Sequence, residues 1–374
     1  MRTQSQPRQN AFLNPSLRDF GHDAIVIGAS AGGLEALKEV VAALPRGLPA
    51  AVFVVIHTSA GSGRMLAPIL ERSGNLPASY PNDGDPILRG HIYVAPPDHH
   101  LLVEPGFIRT TRGPKENGFR PAVDPLFRTA AAAYGPRVAG VVLSGGQNDG
   151  TLGLQAIKRA GGLTIVQDPD EALVARMPES AIQFVGVDHI VKANAIASIL
   201  LNHHQRAEGK SMARRATKER AVKKAGRRLD SAEVGTDLLG KGQPPKHAPS
   251  VFTCPECGGP LWEVDDEGLL RYRCHVGHAY TGEALVDAQA DVLEQAMWTA
   301  LRSLEEGAFL RKRMSQHART HGMHGIADRY DAQSDDFTAR AAIVRKALVI
   351  DRASTDADKP AARVAERARR VSEK

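Results

Sequence analysis

Ala24-Ile25-Val26-Ile27-Gly28-Ala29-Ser30-Ala31-Gly32-Gly33 runs from an unbroken apolar stretch into a glycine-rich turn, and a helix-forming stretch, Leu34 to Ala43, follows it. Such a segment reads as strand, tight turn and helix, the unit from which parallel α/β sheets are built. The turn fits G-x-S-x-G, in which small neighbours let a strained elbow lift a serine hydroxyl above the sheet. A hydroxyl is a weak nucleophile until a base takes its proton, so the elbow predicts a histidine and an orienting carboxylate elsewhere. A phosphate-cradling dinucleotide loop, G-x-G-x-x-G, would need glycine where Ser30 stands.

Working outward, residues 22 to about 203 keep alternating apolar runs with helical stretches. Ala51 to Ile56 and Val138 to Leu143 read as central strands, and Leu163 to Val166 as another after a helix from Gly150 to Ala160. His91 to Ala95 and Leu101 to Val103 read as shorter strands around a Pro-Pro-Asp turn. The expected class is α/β, with a doubly wound, mostly parallel, Rossmann-like sheet, a small metal-binding module and a C-terminal helical hairpin. The hairpin rests on Leu293, Met297, Leu301 and Leu304, then Ile326, Tyr330, Phe337, Ala341, Val344 and Leu348, with a turn near His321-Gly322-Met323. The expected divisions are a disordered N-terminus (1–21), a catalytic domain (22–203), a basic flexible linker (204–249), a zinc-ribbon-like module (250–282), the hairpin (283–350) and a charged tail (351–374).

Composition narrows the class. Hydrophobic residues make up 42% of 374, ordinary for a soluble globular protein. No apolar run approaches the ~18 residues of a membrane span, and the polar first 23 residues lack the apolar core of a secretion signal, so a cytoplasmic location is expected. The net charge is +6, and residues 207–247 alone hold 11 Lys or Arg against 5 Asp or Glu, so the rest of the chain is balanced. Interrupted by Gly-Lys-Gly-Gln-Pro-Pro, that segment reads as a solvated linker rather than a nucleic-acid surface.

All three cysteines fall in one short stretch. Cys254-Pro-Glu-Cys257 has knuckle spacing, and Arg273-Cys274-His275-Val276-Gly277-His278 supplies another thiolate and an imidazole across an expected hairpin, Leu261 to Tyr272. Four soft ligands in two close pairs fit a closed, structural zinc site at Cys254, Cys257, Cys274 and His278. His278 is preferred to His275 because neighbouring side chains of an extended segment point apart. Read this way, the module stands apart from the catalytic domain, and chelation is expected to melt it without stopping catalysis.

In open parallel sheets the functional crevice lies beyond the carboxyl ends of the strands. Ser30 follows the first strand, His57 the second, and Asp149 lies in the loop after Val138–Leu143, within Ser144-Gly145-Gly146-Gln147-Asn148-Asp149-Gly150. All three emerge on one edge, as acyl transfer requires: Ser30 attacks a carbonyl, His57 takes and returns its proton, and Asp149 holds the imidazole tautomer. A nucleotide-binding Rossmann sensor is the competing class, but an acidic residue would then end the second strand, where His57 stands. A third reading is a partner-binding scaffold with a vestigial esterase.

Gly28 to Gly33, the strand-end His57, Gly90-His91-Ile92-Tyr93-Val94-Ala95-Pro96-Pro97-Asp98-His99, Arg120-Pro121-Ala122-Val123-Asp124 with Leu126-Phe127, and Gly145 to Gly150 occur in that order. Together they resemble the catalytic domain of the chemotaxis protein-glutamate methylesterases, over about 22–203. The order Ser, His, Asp also separates the chain from α/β-hydrolases, which run Ser, Asp, His. The resemblance implies hydrolysis of glutamyl methyl esters on the cytoplasmic helices of chemoreceptors, with deamidation of certain glutamines by the same attack. It maps the nucleophile to Ser30, the base to His57 and the acid to Asp149. It also places Arg120 near the site and gives the oxyanion to amides at Ala31 and Gly146. No catalytic cofactor is expected, and a further signalling partner is expected on the C-terminal helices. The family usually carries an N-terminal receiver domain; only 29 residues precede Ser30 here, so activity without a phosphorylation switch is expected. Where the family has a methionine, this chain reads Gly146-Gln147-Asn148-Asp149, which bears on the oxyanion contact.

Overall fold

A computed structural model describes residues 24–59, 61–201, 249–266 and 269–357, with the backbone alone at 265–266, 269 and 349–357. The expected N-terminus (1–21), residues 204–248 of the linker and 358–374 of the tail lie outside the described residues. The chain divides into two compact units, one ending at Ala284 and one beginning at Leu285.

The first unit is organised by seven parallel strands: β1 (Ala24–Ala29), β2 (Ala51–Ile56), β3 (Ala78–Ser79), β4 (Ile92–Val94), β7 (Val138–Val142), β8 (Leu163–Gln167) and β9 (His189–Val191). Between β4 and β7, β5 (His100–Glu104) and β6 (Phe107–Thr111) form a separate antiparallel hairpin. The order across the sheet is β3-β4-β2-β1-β7-β8-β9. The chain therefore places β2, β3 and β4 on one side of β1, with β4 returning between β2 and the edge strand β3, then restarts at β7 on the other, which makes the β1 edge a topological switch point.

Alternation along the central strands builds two cores. Ile25, Ile27, Val52, Val54, Ala139 and Val141 face one side, where they meet Leu37 and Val41 of α1 (Gly33–Ala42) and Leu70 of α2 (Leu66–Ser73). Ala24, Val26, Phe53, Val55, Val138 and Val142 face the other, against α3 (Val123–Tyr134), α4 (Thr151–Arg159) and α5 (Arg176–Phe184). Strands covered on both faces are apolar throughout, hence their unbroken Val and Ile runs. Each large side chain so buried contributes about 1.5–3 kcal/mol.

The cysteine-bearing segment is a three-stranded antiparallel sheet: β10 (Leu261–Asp266), β11 (Leu269–Cys274) and β12 (Ala279–Thr281). It lies in the same compact unit as the parallel sheet.

Two long helices, Gly282–Thr320 and His324–Ala357, are joined where the sequence places the turn. In the second unit Leu301, Ala341 and Leu348 are buried, with Met297, Leu304 and Val344 packed on them. Leu293 and Ile326, expected in that seam, stand exposed; near the turn, Ala318 and Ala327 occupy the buried positions instead. No helix among the described residues is long and apolar enough to cross a membrane.

Close approach fixes α3 over β1. A Cβ at Gly28 would lie 2.3 Å from Val123 Cγ1. Gly28→Ala should cost about 1–3 kcal/mol by overpacking, lowering the thermal midpoint by about 2–12 °C in a melt followed by circular dichroism.

Candidate active site

The elbow is held from two sides. Ser30 N donates to Ser144 O at 2.9 Å, and Leu143 N donates to Gly28 O at 2.9 Å, so the end of β7 supports the turn after β1. Gly145 then passes so close that a Cβ there would meet Ser30 Cβ at 2.8 Å and Met177 Sδ at 2.0 Å. The loop before α5 closes this layer: Gly145 N donates to Val174 O, Met177 N to Gly145 O, and Val174 N to Ser144 Oγ.

The three residues expected from sequence come together. His57 Nδ1 lies 3.1 Å from Ser30 Oγ, and His57 Nε2 lies 2.7 Å from Asp149 Oδ2. An ionised carboxylate only accepts, so Nε2 carries the proton toward Asp149. Nδ1 is then the lone pair that receives the Ser30 hydroxyl proton. The His57 side chain is 4% exposed and that of Asp149 is fully buried. Phe119 stacks on the imidazole with ring centroids 3.6 Å apart and planes 8° from parallel, fixing the ring plane.

Asp149 is held by more than histidine. Its Oδ2 also accepts Val123 N at 2.6 Å, and its Oδ1 accepts Asp124 N and Asn117 Nδ2, each at 3.1 Å. Val123 and Asp124 open α3, so the carboxylate satisfies amides that the helix leaves without partners. The arrangement is reciprocal: Asp124 Oδ1 accepts Gly150 N at 3.0 Å and Gly153 N at 2.7 Å, at the start of α4. Burial pushes the Asp149 carboxyl upward, but the His57 hydrogen bond and charge and the two α3 amides outweigh it and leave the net shift downward. Asp124 goes the other way, raised to about 7 by burial and then by the Asp149 charge.

Asn117 links the pair. Its Nδ2 donates to Asp149 Oδ1 and, at 3.2 Å, to Asp124 Oδ2, while its Oδ1 accepts Thr281 N at 3.0 Å. Buried His100 braces the same segment: Nε2 lies 2.9 Å from Pro114 O, and Ala122 N donates to Nδ1 at 3.3 Å. Burial lowers the His100 pKa, in keeping with a neutral ring that donates at one nitrogen and accepts at the other.

The remaining sequence expectations lie around this centre. Arg120 binds Asp98 through Nε at 2.9 Å and Nη2 at 2.7 Å, and its Nη1 donates to Gly113 O at 2.8 Å. Ala31 is exposed beside Ser30, and its carbonyl accepts Ser144 Oγ at 2.8 Å. A Cβ at Gly146 would meet nothing within 4 Å. Gln147, next to Asn148-Asp149, takes a left-handed φ of 61°. Asn117, Phe119 and Thr281 carry no sequence signal for these roles; Asn117-Gly118 reads only as a turn.

Farther along, Cys254, Cys257, Cys274 and His278 bring their ligand atoms within 4.8 Å of one another. Cys257 Sγ lies 3.7 Å from Cys274 Sγ, and His278 Nδ1 lies 3.6 Å from Cys254 Sγ and 3.5 Å from Cys274 Sγ. His275 is not among this group.

Residues 25–200 match the family model described as CheB methylesterase. A putative protein-glutamate methylesterase/protein-glutamine glutaminase of Leptospira interrogans is 38% identical over 187 residues, which are 50% of this chain and 97% of that relative. Protein-glutamate methylesterase/protein-glutamine glutaminase 2 of Pseudomonas aeruginosa is 39% identical over 186 residues, 49% of this chain and 53% of that longer relative. The solved Thermotoga maritima CheB methylesterase catalytic domain is 32% identical and matches 48% of this chain and 98% of its own, with a TM-score of 0.47.

The two buried aspartates give the site a pH signature. Asp124 has a raised pKa, so its contribution to stability is full below the unfolded carboxylate range, near pH 4, and is lost as pH rises through about 7. Asp149, with a lowered pKa, contributes above that range and loses its contribution only at more acid pH. Between pH 5 and 8, the melting-point advantage of wild type over Asp124→Asn should therefore shrink steadily. A constant difference would show that Asp124 holds no proton there.

Proposed function

Because the chain belongs to the CheB methylesterase family, we propose that it hydrolyses methyl esters of glutamate side chains on proteins, with Ser30, His57 and Asp149 as its catalytic residues. The observation that carries this reading is the continuous hydrogen-bonded path from Ser30 Oγ through His57 to the buried Asp149 carboxylate. Ser30 Oγ attacks the ester carbonyl carbon as its proton passes to His57 Nδ1. Asp149 stabilises the imidazolium through Nε2–H. The tetrahedral intermediate expels the methoxy group, which leaves as methanol with the proton from Nδ1. Water then attacks the acyl-serine, losing a proton to His57, which returns it to Ser30 Oγ as the acyl bond breaks; the glutamic acid released gives up its own proton to solvent. With a glutamine side chain the same sequence releases ammonia in place of methanol.

Amides at Ala31 and Gly146 serve the developing oxyanion, a role supported by the open space beside Gly146 and the contact of Gly145 with Ser30. Arg120, anchored on Asp98, holds the segment that carries Phe119. The substrate class is a methylated chemoreceptor on its cytoplasmic helices. Exposed Phe309, Leu310 and Ile343 support a separate signalling contact on the helical hairpin. A nucleotide-sensing role is disfavoured, since His57 fills the ribose partner's position and is engaged on both ring nitrogens.

Methanol release from a methyl-labelled receptor tests the assignment. Ser30→Ala should abolish turnover with the fold intact, His57→Ala should match it, and Asp149→Asn should lower kcat by about ten-thousand-fold. Wild-type turnover in Ser30→Ala would overturn the reading.

A further inference from the structure

We propose that Cys254, Cys257, Cys274 and His278 hold one divalent metal ion of the zinc class, and that this site, by fixing β12 against Asn117 and Asn148, keeps Asp149 aligned for catalysis. With metal–sulfur bonds of about 2.3 Å and a metal–nitrogen bond of about 2.0–2.1 Å, a tetrahedral site has sulfur–sulfur edges of about 3.8 Å and sulfur–nitrogen edges of about 3.6 Å. The observed 3.7 Å between Cys257 and Cys274, and the 3.6 and 3.5 Å from His278 to Cys254 and Cys274, are those edges. Bonded sulfurs would stand about 2.05 Å apart, so the thiols are not placed for a disulfide. Two tight turns present the ligands: Gly258 N donates to Cys254 O at 2.8 Å, and Cys274 N to His278 O at 3.0 Å. A sheet this small, with Leu261, Tyr272 and Tyr280 as its large buried side chains, lacks the apolar core to hold such turns without a metal.

From the ligand His278 the path to the active site is three residues long. Ala279 O accepts Asn117 N at 2.8 Å, and Thr281 N donates to Asn117 Oδ1. An amide side chain has one accepting end and one donating end. Occupying the accepting end with Thr281 therefore turns Nδ2 toward Asp149 and Asp124. Thr281 Oγ1 also donates to Asn148 Oδ1 at 2.7 Å, next to Asp149, and accepts Ala284 N at 3.2 Å as a helix cap. The footing is charged as well. Buried Glu116 pairs with Arg128 at 2.7 Å and with Arg271 of β11 at 3.4 Å, and Lys115 pairs with Glu256 at 2.6 Å, between the cysteines of the first turn. On this proposal, melting the cysteine-histidine turns does not leave catalysis untouched. Asn117 and Thr281 act as positioning residues, not as groups that touch substrate.

The proposal rests on Ser30 as the nucleophile, and the test separates the two. The full reduced chain is assayed for bound zinc, for methanol release, for labelling of Ser30 by a fluorophosphonate, and for amide hydrogen exchange over residues 115–124. About one zinc per chain is expected, and chelation should raise exchange over that segment. It should also lower kcat about ten- to a hundredfold with KM little changed, because small displacements of a reacting group cost that much. Added zinc should restore both. Thr281→Val should keep its zinc and still lose kcat, which a merely structural metal would not cause. Absence of metal, chelation that leaves kcat and exchange unchanged, or Thr281→Val at wild-type kcat would each overturn the proposal. If the metal-loaded chain neither releases methanol nor labels Ser30, the catalytic reading fails instead, and metal content with exchange still decides whether the metal orders residues 115–124.

Discussion

A buried carboxylate must be surrounded by donors, and the first unit is arranged around meeting that demand at Asp149. Water cannot reach it, so His57, the α3 amides of Val123 and Asp124, and the Asn117 amide do what hydration would. Those donors come from the end of β2, from the first turn of α3 and from the loop between β6 and α3. Holding one charge thus ties a sheet edge, a helix start and a loop into one geometry. Asp124 adds the reciprocal contact to α4, which sets the two helices against each other at their N-terminal ends.

That geometry divides labour between two neighbouring acids. Asp149 sits where imidazole and helix amides favour its charge; Asp124 sits where burial and its neighbour's charge favour the proton. Only the first is in line with Ser30, so the ionised member of the pair is the one that serves the histidine. Phe119 completes the control by fixing the ring plane, leaving the imidazole little freedom except to pass a proton between its two partners.

β12 extends this network outward. Asn117 bridges Thr281 and the Asp149 carboxylate, and its amide reads the position of β12 at one end and that of Asp149 at the other. The cysteine-histidine turns and the active site thereby share one hydrogen-bonded framework.

The amino-acid sequence by itself determined the parallel α/β architecture, the elbow at Ser30 and its partners at strand ends. Each is written locally: apolar runs covered on both faces, a small-residue turn, and polar side chains placed immediately after strands. The grouping of His278, rather than His275, with the three cysteines follows the alternation of an extended segment. Tertiary structure alone decided what surrounds those residues. Nothing in Asn117-Gly118-Phe119 distinguishes an ordinary turn from the stacking face and amide bridge of the site. Arg120, placed near the site by resemblance, gave no sign that Asp98 engages its guanidinium. The docking of β12 joins Thr281 to Asn117 across 164 positions of chain, a contact that no spacing rule encodes. Local pattern fixes what a segment becomes; which distant amide meets a buried carboxylate is settled only when the whole unit must leave none of its charges without donors.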